Sequence, residues 1–272
     1  MTTTPAAGAV FVGAIPELYD TLMVPLLFAP YADDLARRVA AFSPARVLET
    51  AAGSGAVTRA LARALPEGCE IVATDLSPPM LARAQAVGTA RAVTWQPADA
   101  QALPFPDASF DIVACQFGAM FFPDKPRAFS EARRVLRPGG HFVFSVWDRI
   151  ETNEFTAAVA DALAALHPAA PPRFMQLTPH GYFERAAVEA DLAAAGFGAP
   201  GWDTLDARSH AASARVPAMA LCQGTPLRGD IEALPGMTLA SATEACAAAL
   251  AARFGDGPVS ARLCAHVVTA SK

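Results

Sequence analysis

Between residues 31 and 148, short apolar runs alternate with stretches in which apolar residues recur at helical spacing. Strands are predicted over Arg46–Glu49 and over residues 70–74, 92–96, 110–115 and 141–147. Val57, Leu61 and Leu65 show the helical spacing of the segments between them. Ser77 is predicted to cap the helix that follows the second strand. This alternation predicts an α/β fold, with a doubly wound, mostly parallel sheet and helices on both faces.

The pattern changes after residue 148. Helices are predicted over Glu154–Leu166, residues 183–195 and 211–221, and Leu239–Phe254, and strands over residues 201–207 and 260–269. The sheet is thus expected to have seven strands, with an insertion before the last one. We predict a single domain over residues 1–272, with a core at about 31–148, a partly helical lid or substrate region at about 151–254, and the last strand at 260–269.

Composition narrows the class of protein. The chain has 53% hydrophobic and 17% charged residues, which excludes a disordered chain. The net charge is −5 with 21 Lys and Arg, so nucleic acid is not an expected partner. No apolar run reaches the length of a membrane span, so none is expected.

Two features bear on the compartment. The five cysteines are scattered, without zinc-type spacing, and are expected to be buried free thiols in a reducing compartment. Residues 1–16 lack a basic start and predict a loose arm, not a signal peptide. The expected location is the cytoplasm, and no metal site is expected.

A glycine turn after the first strand carries the strongest chemical signal. Gly53 and Gly55 permit close approach of a ligand to the backbone. Asp75 follows Gly55 by twenty residues and ends the next strand, where a carboxylate can accept hydrogen bonds from ribose hydroxyls. Thr58 stands where a dinucleotide fingerprint has its third glycine, and the Glu49 carboxylate disfavours phosphate and suits a cationic ligand. A nicotinamide oxidoreductase is therefore a weaker alternative.

Four segments in order resemble motifs of the class I S-adenosylmethionine (SAM)-dependent methyltransferases. The resemblance is closest to the small-molecule group that includes the ubiquinone and menaquinone biosynthesis enzymes. The segments are residues 47–55 (hydrophobic-Leu-Glu-x-x-x-Gly-x-Gly), 73–77, 98–105 with 110–113, and 131–140. They cover about residues 45–148 and imply a Rossmann-like fold that binds SAM and releases S-adenosylhomocysteine.

The resemblance also implies a set of cofactor-binding residues. Those of the glycine turn would lie at the methionine part of SAM: Glu49, Ala51, Gly53, Ser54 and Gly55. The others would hold the ribose (Asp75), contact the adenine (Leu76, Met80, Asp99 and the backbone N–H of Ala100), border the sulfonium (Gln116) or close over the cofactor (Tyr19).

Several of these residues have structural alternatives. Asp75 could cap a helix, Asp99 could be a turn residue, and Leu76 and Met80 could be core. An aromatic and sulfur-containing group after the fourth strand could equally be a substrate-pocket wall or core: Phe117, Met120, Phe121 and Phe122. No catalytic residue is assigned, although His180 is the best of five histidines for a general base.

The expected function is transfer of a methyl group to an O, N or C atom of a small organic acceptor. A non-catalytic SAM-binding or regulatory protein is the alternative. The segment after the fourth strand, Gln116-Phe117-Gly118, lacks the proline pair of enzymes that methylate base amino groups. This departure and the acidic charge both favour a small-molecule substrate over nucleic acid.

Overall fold

In the computed structural model, which describes residues 11–272, seven strands form one sheet. The strands are β1 (Arg46–Glu49), β2 (Glu70–Asp75), β3 (Thr94–Pro97), β4 (Phe110–Gln116), β5 (Leu136–Trp147), β6 (Gly201–Ala211) and β7 (Val259–Ser271). Their order is β3-β2-β1-β4-β5-β7-β6. The first five are parallel, and β7 lies antiparallel between β5 and β6. The predicted α/β fold with a mostly parallel, seven-stranded sheet is confirmed.

The helices are α1 (Ile15–Leu18), a π-helix (Tyr19–Phe28), α2 (Ala29–Ala41), α3 (Ala56–Ala64), α4 (Pro78–Val87), α5 (Lys125–Val135), α6 (Glu154–Leu166), α7 (Phe174–Leu177), α8 (Arg185–Ala194), α9 (Arg215–Gln223), α10 (Leu227–Glu232) and α11 (Leu239–Phe254). The bounds of α6 and α11 agree with the sequence prediction. The short helices α7 and α10 were not predicted, because four to six residues carry too few apolar positions to show a period.

Helices cover both faces of the sheet, as the burial of β5 shows. Phe142 and Phe144 are buried on one face in the same cluster as Phe129 of α5. Val143, between them, is buried on the other face with Leu35 of α2 and Leu61 of α3. Successive apolar residues of β5 therefore pack against helices on both faces of the sheet.

Two local predictions are wrong. Ile15 and Pro16 begin helix α1 and are buried, so this end of the expected loose arm is ordered, while residues 1–10 lie outside the described part. Ser77 precedes α4, but its hydroxyl donates to the carbonyl oxygen of Phe11 at 3.4 Å and makes no helix cap. Within residues 11–272, no helix has the length and apolar content to cross a membrane.

Candidate active site

Adjoining cavities open where the strand order reverses, between the carboxyl ends of β1 and β4. In open α/β sheets, ligands bind outside this edge at such a reversal. The largest of the cavities that meet there encloses about 960 Å³ and is lined from the turns after β1, β2, β3 and β4. A smaller one of about 310 Å³ continues it toward the start of α3. A third, of about 550 Å³, lies under the helices that follow β5.

Eleven of the twelve predicted cofactor-binding residues line the first two cavities. Those in the large cavity are Tyr19, Ala51, Gly53, Asp75, Leu76, Met80, Asp99, Ala100 and Gln116, and the small one adds Glu49 and Ser54. Gly55 lies outside both linings. It has φ +84°, and a Cβ there would lie 3.1 Å from both Ala84 and Trp95, so this glycine lets α3 and α4 pack closely.

The turn after β1 is held in an unusual backbone conformation. Gly53 has φ +56°, and Ala51 has φ +53°, which is rare for a residue with a Cβ. The Ala52 N–H donates to the carbonyl oxygen of Thr74 on β2 at 2.9 Å, and this bond fixes the turn against the neighbouring strand. Ala51 and Gly53 of this turn line the large cavity.

Asp75 ties this turn to the end of β2. One carboxylate oxygen accepts from the Gly53 N–H at 2.7 Å, and the other accepts from the Ser77 N–H at 2.8 Å. Each oxygen keeps one lone-pair direction free, so Asp75 can accept hydrogen bonds from a ligand as well. Burial is the main cause that raises the pKa of this carboxyl, and the backbone N–H groups oppose it.

The lining of the large cavity also combines a second acid with apolar side chains. One oxygen of Asp99 accepts from the Gln101 N–H at 2.8 Å in a turn after β3. Leu76 leaves 43% of its surface exposed at the cavity, whereas Met80 is buried beneath Gly53. A flat apolar group with polar edges would find both kinds of contact here.

The small cavity gathers oxygen atoms around Glu49. This side chain is 2% exposed and accepts a hydrogen bond from the Thr58 hydroxyl at 2.6 Å. Burial is the main cause that raises the pKa of Glu49 to about 8. Ser54 Oγ and Gln116 Oε1 are buried without a hydrogen-bond partner among the described residues. These acceptor atoms suit a cationic or ammonium group.

Tyr19 lines all three cavities, and other residues of the π-helix fix its position. Its ring stacks on Phe28 at 5.0 Å between centroids. The next residue, Asp20, forms ion pairs with Arg59 of α3 at 2.8 Å and Arg83 of α4 at 3.1 Å. Asp20 therefore fixes the π-helix to α3 and α4, which follow the turns that line the large cavity.

The turn after β4 separates the large cavity from the third one. Phe117 has φ +53° and stacks on Trp147, with 3.8 Å between ring centroids. At position 118 a Cβ would lie 2.4 Å from the Cβ of Ala51, so only glycine fits between the two turns. Non-glycine residues with positive φ in both turns mark this as a functional edge.

Several lining residues of the large cavity were not predicted from the sequence: Phe11, Ser77, Ala98, Gln101, Gly118 and Pro123. All but Phe11 are adjacent in sequence to predicted site residues or to the aromatic group after the fourth strand. Their position next to these residues could therefore have indicated that they line the cavity. Phe117 and Phe121 line two cavities and Phe122 lines one, whereas Met120 is buried in the core. Within residues 11–272, no group of three or more His, Cys, Asp or Glu side chains could hold a metal ion.

Comparisons with known proteins agree with this geometry. Residues 48–144 match the family described as a methyltransferase domain. A demethylmenaquinone methyltransferase of Thermus thermophilus is 45% identical over 103 residues, which are 37% of this chain and 46% of the relative. The matched segment thus spans somewhat less than half the length of the curated relatives.

Solved structures share the fold over most of the chain. The [4+2]-cyclase SpnF has a TM-score of 0.58 at 19% identity, covering 97% of this chain and 94% of its own. Haemonchus contortus phosphoethanolamine N-methyltransferase 2, solved with phosphomonomethylethanolamine and S-adenosylhomocysteine, has a TM-score of 0.57 at 17% identity, covering 94% and 56%. At these identities the likeness concerns fold, which different chemistries share.

Residues 48–144 therefore match a methyltransferase domain, in agreement with the resemblance of the sequence motifs to the class I SAM-dependent methyltransferases. The similar curated relatives include demethylmenaquinone methyltransferases.

The residues present fit SAM. The unpartnered oxygens Ser54 Oγ and Gln116 Oε1, next to Glu49, suit its cationic methionine end. In the large cavity, Asp75 and Asp99 retain free lone pairs for hydroxyl and amino groups.

Proposed function

We propose that this chain catalyses transfer of the methyl group of SAM to an O, N or C atom of a small organic acceptor. We call the large cavity and its small continuation the cofactor-type cavity. The observation that carries this proposal is that the third cavity adjoins it. The two share Phe11, Tyr19, Phe117 and Phe121 as lining residues. A second ligand held there would lie next to the end of the large cavity that Gln116 borders.

The protein's part in such a reaction is to bind, align and exclude water. Bound SAM supplies an electrophilic methyl group on a sulfonium. Asp75 and Asp99 would hold the adenosine end, and Glu49, Ser54 and Gln116 the methionine end. Alignment of two bound reactants contributes effective molarities of about 10⁵ M or more, which accounts for much of a rate enhancement.

We also propose that the segment 151–254 serves as the lid and substrate region of a single domain. It supplies half of the lining of the third cavity, from Asn153 to Pro226. This lining is mostly apolar with a few polar side chains, as is common in pockets for small molecules. Five buried free cysteines support a reducing, cytoplasmic setting.

Titration calorimetry with SAM, S-adenosylhomocysteine and NADH tests the cofactor assignment. We expect saturable binding of the first two and none of NADH. A screen of small acceptors for release of S-adenosylhomocysteine then tests turnover. Binding without turnover on any acceptor would favour the alternative of a non-catalytic SAM-binding protein, and saturable NADH binding would contradict the proposal.

A further inference from the structure

We propose that the third cavity takes a neutral, ring-bearing acceptor with a hydroxyl group, and that His180 Nε2 receives the hydroxyl proton. This inference rests on the proposed function, because it names the acceptor class and a catalytic residue for that reaction. We call the 550 Å³ space lined by His180 and Trp147 the acceptor cavity.

The orientation of the His180 ring follows from a single hydrogen bond. Its Nδ1 lies 2.8 Å from the carbonyl oxygen of Asp148. A carbonyl oxygen can only accept, so Nδ1 carries the proton and Nε2 of the neutral ring carries the lone pair. Burial, the main cause, lowers the pKa of His180 to about 4, which keeps the imidazole neutral near pH 7.

The other polar side chains of the acceptor cavity do not compete for this role. The Asn153 amide exchanges two hydrogen bonds with the backbone of Cys264, each at 3.1 Å. The Thr225 hydroxyl donates to the Leu221 carbonyl oxygen at 2.7 Å. Thr156 and Tyr19 carry hydroxyl groups that do not take up protons at ordinary pH. Of the described lining residues, His180 is therefore the one base.

The walls select the acceptor class. No Asp, Glu, Lys or Arg from the described residues lines the acceptor cavity, so a charged acceptor would be buried without a partner. Seven of the 18 lining residues are Phe, Tyr or Trp, and Phe28 and Phe117 lie close to the Trp147 ring, at 5.9 and 3.8 Å between centroids. Aromatic walls favour a planar apolar ligand with few polar groups.

The proposed step balances in atoms and charge. The acceptor oxygen forms a bond to the methyl carbon with one of its lone pairs. The carbon–sulfur bond breaks, and its electron pair stays on sulfur as the neutral thioether. The hydroxyl proton moves to His180 Nε2, so one positive charge leaves the sulfonium and one appears on the imidazolium. The carboxylates of Asp148 and Glu151 stabilise that imidazolium.

The test measures binding, without turnover, to protein saturated with S-adenosylhomocysteine. The probes are 4-nitrophenol and nitrobenzene, which differ by one hydroxyl and both quench the fluorescence of a nearby tryptophan such as Trp147. Binding is measured at pH 5.5, where 4-nitrophenol keeps its hydroxyl proton and the His180 ring is still neutral. We expect the wild type to bind 4-nitrophenol about tenfold more tightly, as one hydrogen bond implies. His180→Phe should remove this preference, while Thr156→Val, which removes a hydroxyl group from the lining of the same cavity, should keep it.

His180→Leu, whose side chain cannot accept a hydrogen bond, is a second variant if His180→Phe does not fold, and it should likewise lose the preference. The proposal is overturned if the wild type binds both probes equally, if either His180 variant keeps the preference, or if Thr156→Val abolishes it. Calorimetry with S-adenosylhomocysteine distinguishes failure of the proposed function from failure of the role proposed for His180. Loss of that binding in the wild type contradicts the proposed function, whereas normal binding without probe discrimination contradicts the role of His180 alone.

Discussion

The cofactor-type cavity and the acceptor cavity share a wall but differ in how they are built. The first uses carboxylates, backbone N–H groups and unpartnered oxygens, nearly all from turns after β1 to β4. The second uses aromatic and sulfur-containing side chains from the N-terminal helices, β5 and the helices after it. Short local segments thus line the cofactor-type cavity, whereas long-range packing forms the acceptor cavity. Substitutions that affect one cavity and leave the other unchanged test this division.

The largest expected effect is that of Asp75→Ala. The substitution removes the proposed ribose acceptor and leaves the Gly53 and Ser77 N–H groups without their partner. Each lost charge-assisted hydrogen bond is worth about 1.5–3 kcal/mol, so affinity for S-adenosylhomocysteine should fall at least about tenfold by calorimetry. Nitrobenzene binding should change little, because Asp75 does not line the acceptor cavity.

Asp33→Ala is the matched control, since that carboxylate is 65% exposed and pairs with Arg63 on the surface. It should leave both affinities unchanged. If folded Asp75→Ala bound S-adenosylhomocysteine as tightly as the wild type, the ribose role would be wrong. Asp75 would then only accept the hydrogen bonds from the Gly53 and Ser77 N–H groups.

Local periodicity accounts for much of the fold that could be predicted. The bounds of β1, α6 and α11 agree with the sequence patterns, because each has apolar residues at a regular spacing between clear stop signals. The π-helix was missed. Its apolar residues occur nearly all around the axis, and Pro25 lies inside it, so it carries no amphipathic signal.

The site divides in the same way. The cofactor-type residues were predicted from motifs of contiguous residues, such as the glycine turn with Gly53. Positive φ at Ala51 and Phe117 has no sequence signature, because neither residue type favours it. Phe11 and His180 are far apart in the sequence but line the same cavity, and only the packed structure brings them together.

A smaller effect, of a different kind, is expected for Glu49→Gln. The pKa of Glu49 is raised from 4.5 to about 8, so between these values the folded chain keeps a proton that the unfolded chain has lost. This contribution to stability is full below pH 4.5 and is lost as pH rises toward 8. Because glutamine does not titrate, the variant should gain stability relative to the wild type with rising pH, by up to about 1.4 kcal/mol per unit.

SAM binding should show the linked change. A cation beside Glu49 favours the carboxylate, so wild-type affinity should rise from pH 6 to pH 8, with release of a proton. Glu49→Gln should bind SAM about fivefold more weakly at pH 8 and show no such rise. Calorimetry in two buffers of different ionisation enthalpy counts the proton, and equal proton release by both proteins would contradict this role. NADH should bind neither.

The smallest effect should come from Asp20→Asn, which acts on both cavities at once. The side chain of Asp20 is 7% exposed, so its ion pairs with Arg59 and Arg83 are only weakly screened by salt. Their loss frees the π-helix at Tyr19, whose ring forms part of the shared wall. Affinities for S-adenosylhomocysteine and nitrobenzene should both fall, each by about threefold.

Glu17→Gln removes an exposed charge from the preceding turn and should change neither affinity. A fall confined to S-adenosylhomocysteine would mean that Asp20 acts on the cofactor by its charge, not by holding Tyr19. Both affinities could instead fall together at unchanged thermal stability. This result would show that ion pairs outside the two cavities hold their shared wall in position. The separation between cofactor and acceptor chemistry would then depend on a pair of arginines that contact neither ligand.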